Sequence, residues 1–509
     1  MNTILRSSIR LLFFTAFFAA AARASDRPNI VLIMADDMGW SDIGCYGSEI
    51  ATPNIDRLAA EGLRFTQFYN NAKCTTTRAS LLTGLYPRNG GRGISELLRK
   101  DMVTIGEAML DCGYATGLSG KWHNGGKPGE RPFDRGFEEA YGLWDGCCNF
   151  FDPSQPDPRF KGGRVRVFGH NDEYVTEFPD DFYATDAFSD HAVETIRRHA
   201  RSGQPFLHYI AHTAPHYPIH ARPADIAKYD GVYDEGWEVL AERRHAKAVE
   251  LGLVDPAWKR PAADPEVEPW EKAKHKEWQT LRMETYAAMI DSMDQGIGKV
   301  LDVLDDLGIA DNTLVLFLSD NGSCAEQPGG ETPEQVPGPK EFYSHVGPSW
   351  AYAQNSPFRR YKSRSHEGGC RTPLVARWPG KIDPGSITAE VGHVIDFLPT
   401  FLEMGEGSYP AERGGEMVIP VEGLSLVPIF DGEGREAHTA LFWNWSKTKA
   451  VRMGDWKLVW DDRKTGWELY DLGLDGTETN NLAEAHPERV EKMAARWEEW
   501  ARMTQVIRD

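Results

Sequence analysis

Asn29-Ile30-Val31-Leu32-Ile33-Met34-Ala35 is an unbroken apolar run, and it stops on two carboxylates, Asp36-Asp37. The six residues after Asn29 are all apolar and leave no polar face, so the run reads as a strand buried on both sides, as in a parallel sheet covered by helices. A second run, Thr313 to Ser319 (TLVLFLS), has the same character and stops on Asp320-Asn321-Gly322. Helical stretches lie between the two. Thr52-Pro53 predicts a helix start, with a capping threonine and proline at the first helical position. Leu281 to Leu307 predicts another helix, with Met289, Met293, Ile297, Val300 and Leu304 three or four residues apart. Strands alternating with helices define an α/β class, in which ligands sit at the carboxyl ends of the strands.

Residues 145–180, 230–275 and 323–357 are rich in Pro, Gly, Asp and Glu and read as loops or insertions. After about residue 421 the pattern changes. Ala450 to Trp460 and Trp467 to Leu472 read as strands around turns, and Val490, Met493, Trp497 and Trp500 mark an amphipathic terminal helix. The expected organisation is a signal peptide over 1–24, a main domain over 25–420 and a small α+β subdomain over 421–509. The leader rests on Arg6 and Arg10, the apolar run Leu11 to Ala22, and the small-x-small site Ala22-Arg23-Ala24. It predicts a secreted or periplasmic protein whose mature chain starts near Ser25 and has no membrane span.

Length and charge bound the function. A chain of 509 residues exceeds one ordinary core. A net charge of -20 argues against nucleic acid, which needs a basic surface, yet allows a local basic pocket for a small anion. Seven cysteines, Cys45, Cys74, Cys112, Cys147, Cys148, Cys324 and Cys370, are an odd count and lack the paired spacing of a zinc site; disulfides among them stay open.

Two constellations carry chemistry. Asp36, Asp37, Asp320 and Asn321 are oxygen ligands at the ends of two buried strands, a set that suits a hard divalent cation such as calcium or magnesium. The plain alternative is a pair of strand-end turns. The second is Cys74-Thr75-Thr76-Thr77-Arg78-Ala79-Ser80-Leu81-Leu82-Thr83-Gly84. Its threonines can cap a helix through Ala79 to Leu85, with Cys74 at the amino end, where the helix dipole and Arg78 favour an anion. An ordinary buried cysteine is the competing reading. His208, His212, His216 and His220 are spaced by four, but Pro215 and Pro218 forbid the helix a zinc face would need, and Pro205-Phe206-Leu207 reads as a strand start. Gly120-Lys121 is not a nucleotide loop, because Trp122 follows where Ser or Thr is required.

The segment Cys74 to Gly84 resembles the signature of the formylglycine-dependent, arylsulfatase-like sulfatases of the alkaline phosphatase superfamily. Asp36-Asp37, Gly120-Lys121-Trp122-His123, Ala214-Pro215-His216, Ser319-Asp320-Asn321-Gly322, and Lys362 followed by Glu367-Gly368-Gly369 occur in that family's order, from about residue 27 to the C-terminus. The resemblance implies an alkaline-phosphatase-like fold: a large, mixed, mostly parallel sheet flanked by helices, and a small C-terminal subdomain with an antiparallel sheet. It implies one calcium ion held by Asp36, Asp37, Asp320, Asn321 and residue 74, and oxidation of Cys74 to formylglycine by a maturation enzyme. Hydrated formylglycine would present two geminal hydroxyls, one to attack sulfur and one to release sulfate by carbonyl formation. Arg78 and Lys121 would hold the nucleophile and sulfate oxygens, and His123 would take a proton. His216 and Lys362 would bind sulfate and protonate the leaving alcohol, with His212 as a neighbour. One position departs from the pattern: Thr76 stands where the family's Cys-x-Pro-x-Arg core has proline, which bears on the maturation step. The implied substrate is a sulfated small molecule or glycan. A phosphoester or phosphonate hydrolase of the same superfamily, or a carbohydrate-binding relic whose cysteine is never oxidised, are the competing readings. The sixteen tryptophans suit sugar stacking and core packing alike.

Overall fold

The computed structural model describes residues 27–91, 97–330, 332–463 and 466–507. The expected signal peptide and cleavage site lie outside the described residues.

The run Asn29–Ala35 forms β1, in the middle of an 11-stranded sheet. The other strands of that sheet are β2 (Leu63–Tyr69), β3 (Ala115–Gly120), β4 (Glu139–Leu143), β5 (Phe168–His170), β6 (Glu173–Tyr174), β7 (Phe206–Ala211), β8 (Thr313–Ser319), β9 (Arg371–Arg377), β10 (Ser386–Thr388) and β11 (Gly392–His393). Their order is β10-β2-β9-β8-β1-β7-β3-β4-β5-β6, with β11 also on β2. The pairs β1–β7, β1–β8, β3–β7, β3–β4, β10–β2 and β11–β2 are parallel; β9 runs against both β2 and β8, and the edge β4-β5-β6 is antiparallel. The sheet is therefore mixed and mostly parallel.

The unbroken apolar run has a direct packing cause. Side chains alternate across a strand. Val31, Ile33 and Ala35 of β1 enter one hydrophobic cluster, while Ile30, Leu32 and Met34 enter another on the opposite face. On β8, Val315 and Phe317 go one way, and Leu314, Leu316 and Leu318 the other. The first layer includes the 31-residue helix Lys276–Asp306, which starts five residues before the expected Leu281. Thr52 does precede the helix Pro53–Ala60, but its hydroxyl does not cap it. That oxygen instead accepts from Gly44 N–H at 2.8 Å and lies 3.2 Å from Asp56 Oδ1, tying the preceding turn to the helix.

The segments read as loops hide two helices, Trp237–Glu250 and Gly347–Gln354. The first is anchored by one arginine: Arg244 reaches Asp42 and Glu49, and is itself buried. Beyond the main sheet, β12 (Glu412–Arg413) and β13 (Glu416–Met417) form a small hairpin. Strands β14 (Leu441–Trp445), β15 (Thr448–Met453), β16 (Trp456–Trp460) and β17 (Glu468–Asp471) make an antiparallel sheet. The terminal helix Pro487–Met503 lies on it through Met493, Trp497 and Trp500, with Trp500 stacked on Phe442 at 5.0 Å between ring centroids. All seven cysteines are free thiols. No described helix is long and apolar enough to cross a membrane.

Burial sets the acid sensitivity of this core. It pushes His220 down to about 4 and His393 to about 3, against an ordinary value of about 6.5. Below that value the unfolded chain binds protons that the folded chain refuses, so stability falls as pH drops. His199 and His212, also lowered to about 4 by burial, act in the same sense, as do His123, His208, His216 and His245; Asp294, raised by burial to about 6, acts against them, with Asp36, Asp42, Asp56 and Glu284. The histidines outnumber these carboxyls. The thermal midpoint is expected to fall as pH is lowered from about 6.5 to about 5; a flat or rising profile would contradict this.

Candidate active site

Strand register assembles the site. Ala35 pairs with Ser319, so Asp36 and Asp320 leave neighbouring strands side by side. Met34 and Gly120 both pair with Ala211, so Lys121 and His212 emerge at the same sheet edge. Asp320 N–H donates to Ala35 O at 3.1 Å, and Asp36 N–H to Ala214 O at 2.9 Å, which draws the segment carrying His216 over β1. Lys362 is set by two backbone bonds: its own N–H to Ser323 O at 3.1 Å, and Ser363 N–H to Ala72 O at 2.6 Å, two residues before Cys74.

Cys74 opens the helix Cys74–Thr83, every residue of which is buried. Cys74 stands at the amino end, as expected, but the helix starts on Cys74 itself, so the threonines lie inside it rather than ahead of it as caps. Thr77 Oγ1 accepts from Asn71 N–H at 2.9 Å, and Thr76 Oγ1 donates to Lys73 O at 3.0 Å; both fasten the approach to Cys74. Position 76 is in the first turn, where backbone N–H groups have no helical partner, so the helix does not choose between threonine and proline there. Gly84, at φ 66°, ends the helix in the left-handed conformation that glycine adopts freely.

The charges interlock. Arg78 donates to Asp320 Oδ2 from Nε at 3.0 Å and Nη2 at 2.8 Å, and to Lys121 O from Nη1 at 3.0 Å. Lys121 Nζ lies 2.5 Å from Asp36 Oδ2, and Lys362 Nζ 2.7 Å from Asp37 Oδ2. Asn321 Nδ2 donates to Asp37 Oδ1 at 2.7 Å, and Asp37 N–H to Asp320 Oδ1 at 3.2 Å. Burial pushes Lys121 and Lys362 down, but Asp36 and Asp37 outweigh it and hold both ammonium groups above their ordinary range. Burial, reinforced by Lys121, drives His123 well below its usual value; burial and Lys362 do the same to His216. The site thus pairs three fixed cations with three carboxylates, beside neutral imidazoles.

Two oxygens are left over. Asp36 Oδ1 and Asn321 Oδ1 are buried without a hydrogen-bond partner. Burial, only partly offset by Lys121, raises the Asp36 carboxyl well above its range. Orphaned oxygens on a destabilised carboxylate fit a hard cation, which would satisfy both. Donor atoms of Asp36, Asp37 and His216 lie within 4.8 Å of one another. Sequence reasoning placed His216 with the substrate, yet its Nε2 stands 3.3 Å from Asp37 Oδ2. Asp320 is outside that trio, committed to Arg78 and to Asp37 N–H. Cys74 is also outside it, within electrostatic range of Arg78, Lys121 and Lys362. His123 adopts φ 56° and packs against Gly146, where a Cβ would fall 2.5 Å from its ring, and its Nδ1 is buried without a partner.

The other histidines of the four-spaced series diverge, as the prolines require. His208 Nε2 bonds Ser119 Oγ, His220 Nε2 donates to Phe342 O, and His212 Nδ1 is buried without a partner. Sequence reasoning missed Glu326. It accepts from Lys73 at 2.6 Å and Tyr217 OH at 2.7 Å, and Lys362 with Lys73 holds it well below the carboxylate range against the pull of burial. Only its nearness to the Asp320-Asn321 turn could have drawn attention to it.

A buried nest of fixed cations around a helix amino terminus, with spare oxygens for a divalent ion, is the site of a hydrolase acting on an anionic ester. Comparison with known proteins gives the class. The Sulfatase family model matches residues 28–408, and the model for the C-terminal region of N-sulphoglucosamine sulphohydrolase matches residues 359–505. An uncharacterized sulfatase of Schizosaccharomyces pombe is 33% identical, over 95% of each chain. An arylsulfatase of Klebsiella aerogenes is 32% identical, over 83% of this chain and 96% of its own. The crystal structure of Ps i-CgsB in complex with k-i-k-neocarrahexaose superposes with a TM-score of 0.69 at 26% identity, covering 94% of each chain. The chain belongs to the sulfatase family and is a sulfuric ester hydrolase.

Proposed function

We propose that this sulfatase removes sulfate from sulfated carbohydrates outside the cytoplasm, using formylglycine made from Cys74 and a calcium ion held by Asp36, Asp37, Asp320 and Asn321. The observation that carries this is the place of Cys74: first residue of a wholly buried helix, in range of Arg78, Lys121 and Lys362. A sugar substrate is favoured by the matching C-terminal family model, named for N-sulphoglucosamine sulphohydrolase, and by the similar structure of Ps i-CgsB in complex with k-i-k-neocarrahexaose. Export rests on the leader sequence, and amino-terminal sequencing of exported protein should find Ser25 or a near neighbour.

Hydrated formylglycine would supply the attacking hydroxyl and, through the second one, a way to release sulfate. Calcium would supply positive charge where three cations and three carboxylates otherwise cancel, and so favour an incoming sulfate. The protein groups do the rest. Arg78 and Lys121 fix charge around the reacting centre. His123, neutral and with a free buried nitrogen, can accept a proton. His216 directs Nδ1 at the Tyr217 carbonyl, which only accepts, so Nδ1 carries the proton and Nε2 presents a lone pair. The proton for the leaving alcohol therefore falls to Lys362.

Lys362→Ala is expected to slow turnover of a sugar sulfate about ten-fold more than that of an activated phenyl sulfate, because a poor leaving group needs the proton. His216→Ala should slow both alike. Steady-state kinetics on the two substrates check this, and equal losses for Lys362→Ala would assign it to sulfate binding. Parallel assays on aryl sulfate and aryl phosphate esters test the function itself; preference for phosphate would overturn it.

A further inference from the structure

The antiparallel edge of the main sheet carries a second set of donors that sulfate chemistry does not use. Glu139 opens β4, His170 ends β5, and His191 reaches both from the helix Ala184–Ser202. His170 Nε2 lies 3.2 Å, and His191 Nε2 3.6 Å, from the same oxygen, Glu139 Oε1. One donor atom from each of the three falls within 4.8 Å of the other two. Ligands held about 2.0–2.1 Å from a tetrahedral ion stand about 3.4 Å apart. The two separations bracket that spacing.

Ring orientation supplies an independent observation. His191 Nε2 is buried and has no hydrogen-bond partner. Its Nδ1 is fixed 2.7 Å from Ser119 Oγ, which is itself 2.9 Å from His208 Nε2. If Nδ1–H donates to Ser119 and the hydroxyl passes its own proton to His208, Nε2 of His191 is left with a lone pair. The reverse assignment puts a proton on Nε2 facing Glu139 Oε1 across 3.6 Å, a long contact that an ion between the two atoms would replace with two ligand bonds. A ligating imidazole held through its other nitrogen is the usual support of a metal centre. The ring of Tyr141 packs on both histidines, at 5.1 Å from His191 and 5.7 Å from His170.

We propose that Glu139, His170 and His191 bind a divalent cation of the zinc class, clamping the β4–β5 edge to the helix behind it. Two imidazoles and one carboxylate, with no thiolate, select such an ion over calcium. His170 is about half exposed, so water completes the fourth position. Arg198 also reaches Glu139 Oε1, at 3.2 Å; its side chain is half exposed, and Oε2 remains to receive it once the ion takes Oε1.

The test uses the full chain saturated with calcium, titrated with Co2+ and then Zn2+. The wild type is expected to take up one equivalent of cobalt with the visible absorption of a four-coordinate ion, which zinc then displaces. His191→Ala and His170→Ala should each lose that equivalent and its spectrum while keeping wild-type aryl-sulfate turnover. His170 is exposed enough that its replacement leaves the fold intact, so loss of uptake there cannot be blamed on unfolding. Uptake of the same equivalent by both variants, or none by the wild type, overturns the site.

Discussion

Cys74→Ala is expected to abolish sulfatase turnover while leaving the protein folded. Cys74 is 2% exposed at the first position of its helix, and alanine is the best helix former, so the substitution removes one sulfur and little else. The functional loss should be of another order. Removing a covalent nucleophile costs about four to six orders of magnitude in turnover elsewhere. Cys74→Ser is the sharper comparison. Serine can attack sulfur, but the ester it forms has no second hydroxyl to collapse, so it should turn over at most once. Turnover on an aryl sulfate, the mass of the residue-74 peptide and circular dichroism together read the result. Full activity in Cys74→Ala, or in a sample whose residue 74 is wholly unmodified cysteine, would end the formylglycine reading. Thr76 enters here. The folded helix accepts it without strain, so any effect of the missing proline falls on maturation, and the peptide mass shows it as a converted fraction below one.

The parts of this molecule that were legible from sequence share one property: their neighbours in space are neighbours in pattern. β1 and β8 could be read because both faces are buried, which makes Ile30 to Ala35 and Leu314 to Leu318 apolar throughout. Their closing Asp36-Asp37 and Asp320-Asn321 then met because the two strands pair in register, Ala35 with Ser319. β9 was not legible. It carries Pro373 and begins and ends on arginine, yet it lies in the middle of the sheet. Its terminal arginines are tolerated because each meets a carboxylate: Arg371 meets Glu367, and Arg377 meets Glu61. The helix Trp237–Glu250 was hidden for a like reason. Arg244 on its buried face breaks the apolar stripe, and only Asp42 and Glu49, some 200 positions away in sequence, make sense of it. The Glu367-Gly368-Gly369 match also changes meaning. Glu367 is a buried partner of Arg371 and Lys457, joining β9 to the C-terminal sheet, and Lys457 also holds Glu478 at 3.0 Å. Residue types announce an ion pair only once the fold has brought both members together.

That dependence on partners shapes the second large effect. Asp320→Ala is expected to lose calcium binding and turnover together, and to destabilise the chain as well. Asp320 is fully buried; its Oδ2 accepts two hydrogen bonds from Arg78, and its other oxygen receives Asp37 N–H. Removing it takes away the nearer of the guanidinium's two buried anions and leaves Asp36 Oδ1 at 3.7 Å; breaking a buried pair costs about 3–5 kcal/mol in comparable cases. It also strips the cation site of a carboxylate, and an incomplete set cannot offset the dehydration of the ion. Loss of activity alone would therefore not separate the two causes. Asp320→Asn does: the amide keeps an oxygen for Arg78 and nearly the same volume, but it removes the charge that calcium needs. In the wild type, calcium should raise the thermal midpoint, because a ligand of the native state stabilises by mass action. In Asp320→Asn that calcium-dependent rise should shrink or vanish, while the calcium-free midpoint stays closer to wild type than that of Asp320→Ala. Titration calorimetry with calcium gives the affinities directly. A wild-type calcium affinity in Asp320→Asn would remove Asp320 from the ligand set and leave Asp36, Asp37 and Asn321, with His216 beside them, to hold the ion.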